Sequence, residues 1–128
     1  MDIVILLFLT SGLFLGWSLG ANDAANVFGT AVGTRMVQFT TAAIVCSIFV
    51  ILGAVISGAG AAHTLGKLGS VNALAGSFVA AFSAALTVYW MTRASLPVST
   101  SQAIVGAIIG WNLFSGSITD SNALFKIL

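Results

Sequence analysis

Four long apolar stretches follow one another in this chain, and together they restrict it to a bilayer more than any other feature does. They run from Ile3 to about Thr34, from Val37 to about Ala59, from Val71 to about Thr92 and from Val98 to about Ile118. A spanning helix needs ~20 predominantly apolar residues, so 128 residues hold at most four or five crossings. Only 5% of the chain is charged, whereas a soluble domain carries about a quarter charged residues. Such a chain cannot cover its own surface with well-solvated groups. The expected fold class is therefore an all-α, multi-pass integral membrane protein, with membrane lipid as its surrounding partner.

The same scarcity excludes several functions. A net charge of +1 with no basic run gives no electrostatic basis for binding nucleic acid. Cys46 is the one cysteine, so no disulfide can form within the chain, and it is read as a packing residue. One histidine, His63, and one apolar-flanked cysteine make no metal set. Serine, histidine and aspartate occur in different segments and loops, which gives no basis for a hydrolase triad. No enzyme activity and no cofactor are expected. The apolar run Ile3 to Leu19 is not read as a secretory signal, because Asp2 stands where a positive n-region belongs and further apolar segments follow.

Polar punctuation sets the expected topology. Gly60 to Ser70 is rich in glycine and carries His63 and Lys67, and it is read as a loop between the second and third helices. Arg35 and Arg93 are separated by two stretches and so share one face, with Lys67 and the N-terminus on the other. The positive-inside rule then puts the two arginines in the cytoplasm and the N-terminus outside, with the plasma (inner) membrane as the expected location. Trp17, Trp90 and Trp111 lie within or near the ends of apolar segments, where two of them suit interface anchoring.

Two stretches do not fit a simple crossing. Ile3 to Thr34 is 32 residues, ~48 Å as a helix against ~30 Å of hydrocarbon. Its middle is Gly20-Ala-Asn-Asp-Ala-Ala-Asn26, and a break of the first helix is expected there. The last stretch opens on Pro97-Val-Ser-Thr-Ser-Gln102 before a short apolar run, which suggests a re-entrant half-helix, with crossing as the alternative. Gly12, Gly16 and Gly20, the pair Gly29 and Gly33, and the pair Gly106 and Gly110 recur at four-residue spacing, as close helix packing in lipid requires.

Asp23 is the most informative polar residue. An aspartate at a helix centre in the bilayer costs ~2.5–3.5 kcal/mol, and such residues are kept to pair, to line a wet path or to bind a cation. Asn22 and Asn26 flank it, and carboxylate and amide oxygens are the hard ligands a small cation takes. An interfacial aspartate is the alternative. Ser99, Thr100 and Ser101 form a second cluster after Pro97, a residue suited to the start of a helix. Hydroxyls beside the unpaired N–H groups of a helix N-terminus would hold an oxyanion without a fixed cation. The alternative is an ordinary capped helix. Taken together, a cation cluster and an anion cluster point to a cation-coupled anion transporter built on discontinuous helices.

Gly20-Ala-Asn-Asp-Ala-Ala-Asn-Val-Phe-Gly-Thr-Ala-Val-Gly33 resembles the signature of the inorganic phosphate transporter family. Pro97-Val-Ser-Thr-Ser-Gln-Ala-Ile-Val-Gly-Ala-Ile-Ile-Gly110 resembles the same family's second element. The resemblance implies sodium- or proton-coupled phosphate uptake, with sodium favoured, through two inverted repeats. It implies that Asn22, Asp23 and Asn26 lie at the coupling cation, with sodium as its metal ion, and that Ser99, Thr100, Ser101 and Gln102 lie at phosphate. Gln102 stands where many members carry histidine, and Thr30 is read as a packing residue. Residues 1–128 carry one signature where the family has two, so they are expected to be a single transmembrane repeat. This is one half of an inverted-repeat transporter, either an N-terminal fragment (favoured) or a stand-alone half that pairs as a homo-oligomer or with a second repeat chain. A non-transporting truncated or assembly subunit and a carrier of another oxyanion, such as sulfate, are the alternatives.

Overall fold

The computed structural model describes residues 3–67, 74–96 and 98–127. The expectations placed on Asp2, on Pro97 and on the last residues of the 60–70 connection lie outside the described residues. The described residues form helices and their connections: α1 (Ile3–Gly33), α2 (Phe39–Lys67), α3 (Leu74–Arg93), α4 (Thr100–Ser115) and α5 (Ser121–Ile127). The first three are long and apolar enough to cross a membrane. On α2, Val55 and Ile56 are 79% and 78% exposed, and Ile44, Phe49 and Ile51 are exposed with them. A helix apolar on every side and covered by almost no protein needs lipid as its solvent. The chain is an all-α integral membrane protein.

The helix α3 is the centre. Ring pairs Phe8–Phe78, Phe14–Phe82 and Trp17–Tyr89 ascend α1 and α3 in the same order, so these two helices run parallel. Their buried contact face on α1 is Ser11, Ser18 and Asn22, small or polar residues that let backbones approach. The opposite neighbour, α4, runs antiparallel to α3 after a short connection and lays Trp111 over Gly76. A Cβ at Gly76 would lie 2.8 Å from the Trp111 ring, which is why that position is glycine. Gly76, Ala80, Ala84 and Val88 are buried at four-residue spacing along α3. This is the ridge that packs closely. The glycines at 12, 16, 20, 29, 33, 106 and 110 have open space where a Cβ would stand, so among the described residues they do not form the expected close-packing contacts.

Two further expectations are corrected. The first helix is unbroken from Ile3 to Gly33. Residues 20–26 contain no proline, and three alanines carry the helix past Asn22, Asp23 and Asn26 at little propensity cost. The excess length goes into an extension: α3 ends level with Asn22, and α1 runs on for about three turns. Its end is closed by Arg35 in the left-handed conformation, φ 60°, with Met36 N–H donating to the Ala31 carbonyl. Residues 60–67, expected as loop, belong to α2. Leu65 packs on the cluster of Ala80, Val105 and Ile108, and Thr64 Oγ1 donates to the Gly60 carbonyl at 3.0 Å, so tertiary contact holds this turn despite its glycines. His63 is exposed on that helix rather than on a loop tip.

The fourth stretch has the shape of a hairpin. As 16 residues, α4 measures ~24 Å, less than the ~30 Å of hydrocarbon. Gly116, at φ 70°, closes it, and the chain doubles back so that Leu124 of α5 rests on the Ala80–Val105–Ile108 cluster. Asn112, fully buried, donates through Nδ2 to Thr119 Oγ1 at 3.0 Å and ties α4 to this return.

Candidate functional site

Asn22 is where the two polar motifs meet. Its side chain is 7% exposed on the face of α1 that packs against α3. Nδ2 donates to Asp23 Oδ1 at 3.1 Å and to the Val98 carbonyl at 3.3 Å. Oδ1 accepts from Thr92 Oγ1 at 3.2 Å. One amide therefore joins α1, the end of α3 and the residue immediately before the first serine of the second motif. Both amide functions are used, as a buried amide requires.

Downstream of Val98, Ser99 occupies the N-cap of α4 with φ −81° and ψ 114°, and its Oγ accepts from the Gln102 N–H at 3.4 Å. The Ser99 carbonyl accepts the first helical bond, from Ala103 N–H. The Thr100 and Ser101 N–H groups occupy the positions that no intrahelical acceptor reaches. Thr100 is half-buried, and Ser99 and Ser101 are exposed. The arrangement can present hydroxyl and N–H donors to an anion at the positive end of the helix.

The predicted residues do not all converge. Asp23 is exposed and touches the junction through Asn22, leaving its second oxygen open. Asn26 is exposed one turn further along α1, and no hydrogen bond joins it or Ser101 to the Asn22 node among the described residues. Gln102 lines a different space, an open groove of about 690 Å³ between α3 and α4 with Ser83, Thr87, Gly106 and Gly110. Among the described residues no three His, Cys, Asp or Glu side chains group as a metal cluster. Thr30 is exposed on the α1 extension.

Two polar residues were not singled out in the sequence, Thr92 and Asn112. Thr92 had one visible signal, a hydroxyl beside Arg93 at the end of an apolar stretch. Asn112 had none, because a lone amide after Trp111 reads the same whether it is buried or at an interface.

Comparison with known proteins identifies the family of the chain. The phosphate transporter family matches residues 19–128, from just before the Asn22 motif to the last residue. A protein of Pyrococcus furiosus named as a candidate phosphate permease is 31% identical, the match covering 99% of this chain and 33% of that protein. Similarly named proteins of Chlamydia pneumoniae and Pyrococcus abyssi are each 35% identical over 91% and 88% of this chain. The chain spans about a third of the length of these relatives, 29–33% of each. No solved structure matches the chain. With 19–128 covered by its pattern, the chain belongs to the phosphate transporter family.

Proposed function

We propose that this chain forms part of a membrane carrier for inorganic phosphate, in which Ser99, Thr100 and Ser101 hold the anion and Asn22, Asp23 and Asn26 hold a coupling cation. The observation that carries the reading is the Asn22 amide, which binds the Asp23 carboxylate on one side and the Val98 carbonyl on the other. A cation at Asp23 would offset the charge of phosphate at the start of α4. It would also draw on the amide that sets the position of that helix, so loading of one site alters the other. Sodium is favoured over the proton because the open Asp23 carboxylate oxygen and the exposed Asn26 amide, one turn along α1, offer the hard oxygen ligands of a small cation. Gln102 joins this reading through its backbone N–H, which donates to Ser99 Oγ, while its side chain lines the groove between α3 and α4.

In this reading Arg35 and Arg93 lie on the cytoplasmic side of the plasma membrane and the N-terminus lies outside. The complete site takes a second repeat, either from the rest of a longer chain or from another copy. Reconstituted proteoliposomes test the proposal. Labelled phosphate should accumulate under an inward sodium gradient, either with this chain alone or once a second repeat is supplied. Accumulation that follows only a proton gradient would overturn the ion assignment, and equal competition by sulfate would overturn the choice of anion.

A further inference from the structure

A second space opens between α1 and α3, mostly apolar but edged by polar groups, and it shares only Thr92 with the Asn22 junction. Its volume is about 370 Å³, and it is lined by Trp17, Ser18, Ala21, Tyr89, Thr92 and Arg93. Ser18 Oγ is buried and has no hydrogen-bond partner, although a helical serine ordinarily donates to a carbonyl of the preceding turn. A hydroxyl left without a partner beside a cavity has its hydrogen-bonding capacity available to whatever fills that cavity. Arg93 is fixed beside it: Nε donates to the Tyr89 hydroxyl at 3.1 Å, and the guanidinium lies 5.6 Å from the centroid of the same ring. With Nε engaged, the Nη edge of the fork remains for an acceptor. Because Tyr89 Oη accepts from Arg93, its own hydrogen is free to donate. No carboxylate pairs with Arg93 among the described residues.

This donor set — guanidinium, phenol and buried serine hydroxyl — is chemistry for a phosphate oxyanion. Two observations select a lipid as its source. Arg93 ends a helix of 20 residues, ~30 Å long, which brings its guanidinium to the level of the headgroups at one end of a crossing. Beside it runs an apolar groove of about 350 Å³ bordered by Leu86, Tyr89, Trp90, Arg93 and Ala94, which shares Tyr89 and Arg93 with the first space, so an acyl chain can follow a headgroup down α3. Charge argues the same way. Asp23 reaches the junction through Asn22, and a singly charged phosphodiester opposes that carboxylate less than a phosphate dianion does.

We propose that Arg93, Tyr89 and Ser18 form a binding site for the phosphodiester of an anionic phospholipid, seated against the α1–α3 interface with its chain along Leu86 and Trp90. The bound lipid completes the hydrogen bonding of Ser18 and braces the end of α3, one residue from Thr92.

Quenching of tryptophan by brominated lipid tests this. The full chain carrying Trp111→Phe, so that Trp17 and Trp90 report, is reconstituted in phosphatidylcholine with brominated phosphatidylglycerol or brominated phosphatidylcholine as the minor component. The expected result is enrichment of the anionic lipid at the protein by about fivefold over its mole fraction, the effect of one basic side chain at an anionic surface. Arg93→Gln should remove the enrichment, and Ser18→Ala should reduce it with helicity unchanged. Quenching that follows mole fraction in the unsubstituted site, or enrichment that survives Arg93→Gln, would overturn the proposal. Relief by millimolar inorganic phosphate but not by chloride at equal ionic strength would assign the site to free phosphate and overturn the lipid.

Discussion

Asn22 illustrates how one buried amide can set both structure and chemistry. Replacing it with alanine leaves the Val98 carbonyl and the Thr92 hydroxyl without their partner. Both groups are partly buried, so stranding them costs at most ~1–3 kcal/mol each. Asn22→Ala should therefore lower the thermal unfolding midpoint of the detergent-solubilised protein as well as phosphate uptake, and an unchanged midpoint would show that the junction is not a structural tie. Asp23→Asn separates the two roles. Asp23 is exposed, and an amide in its place can still accept from Asn22 Nδ2, so folding and insertion should be retained while cation-dependent uptake is lost. Normal coupled uptake in Asp23→Asn would move the cation elsewhere. For the anion, Ser99→Ala with Thr100→Ala removes the cap and a neighbouring hydroxyl. The phosphate concentration for half-maximal uptake should rise, and the lost N-cap should lower stability by ~1 kcal/mol. An unchanged half-saturation would place the anion away from the start of α4.

At the scale of elements, packing depends on positions where a side chain would not fit. Gly76→Ala brings a methyl to 2.8 Å of Trp111 Cε2 and Nε1, and overpacking of this kind costs ~1–3 kcal/mol. A drop in the unfolding midpoint that is partly restored by adding Trp111→Phe would establish that α3 and α4 meet there; additive losses would argue against contact. The sequence carried the number and length of the apolar elements well, because lipid demands a continuous apolar run whatever its neighbours are. It did not carry which small residues pack. Gly106 and Gly110 share the four-residue spacing of Gly76 and Ala80, and only the rotation of each helix about its axis decides which stripe meets a partner. The break expected at residues 20–26 failed for a related reason: polarity in a helix marks a tertiary partner as readily as an end, and here Asn22 found Thr92 and Val98. Ser99 was legible as a cap because capping is local. Its neighbourhood with Asn22, 77 residues earlier in the chain, was suggested only by the paired motifs and by the family resemblance.

For the whole molecule, the parallel run of α1 and α3 constrains topology independently of charge counting. Two adjacent spanning helices can be parallel only if the segment between them returns across the membrane, and α2 is long and apolar enough to do so. Arg35 and the end of α3 therefore share a side, with Lys67 opposite, which is the arrangement that the proposed orientation requires. The extension of α1 past the end of α3 sharpens this arrangement. It carries Asn26 about one turn past Arg93, with Asp23 near the level of Arg93, so the proposed cation ligands lie toward this shared end of the crossing rather than at its midplane. Single cysteines in a Cys46→Ser background test the arrangement. Arg35→Cys and Ser95→Cys should resist a membrane-impermeant maleimide in right-side-out vesicles and react after permeabilisation, whereas Lys67→Cys should react at once. Labelling of Arg35→Cys and Ser95→Cys from opposite sides would mean that α2 and α3 do not both cross, and the parallel pairing of α1 with α3 would then have to form without a returning span. Reaction of both from outside would keep the fold but invert it, placing Asp23 at the face from which substrate is captured rather than released.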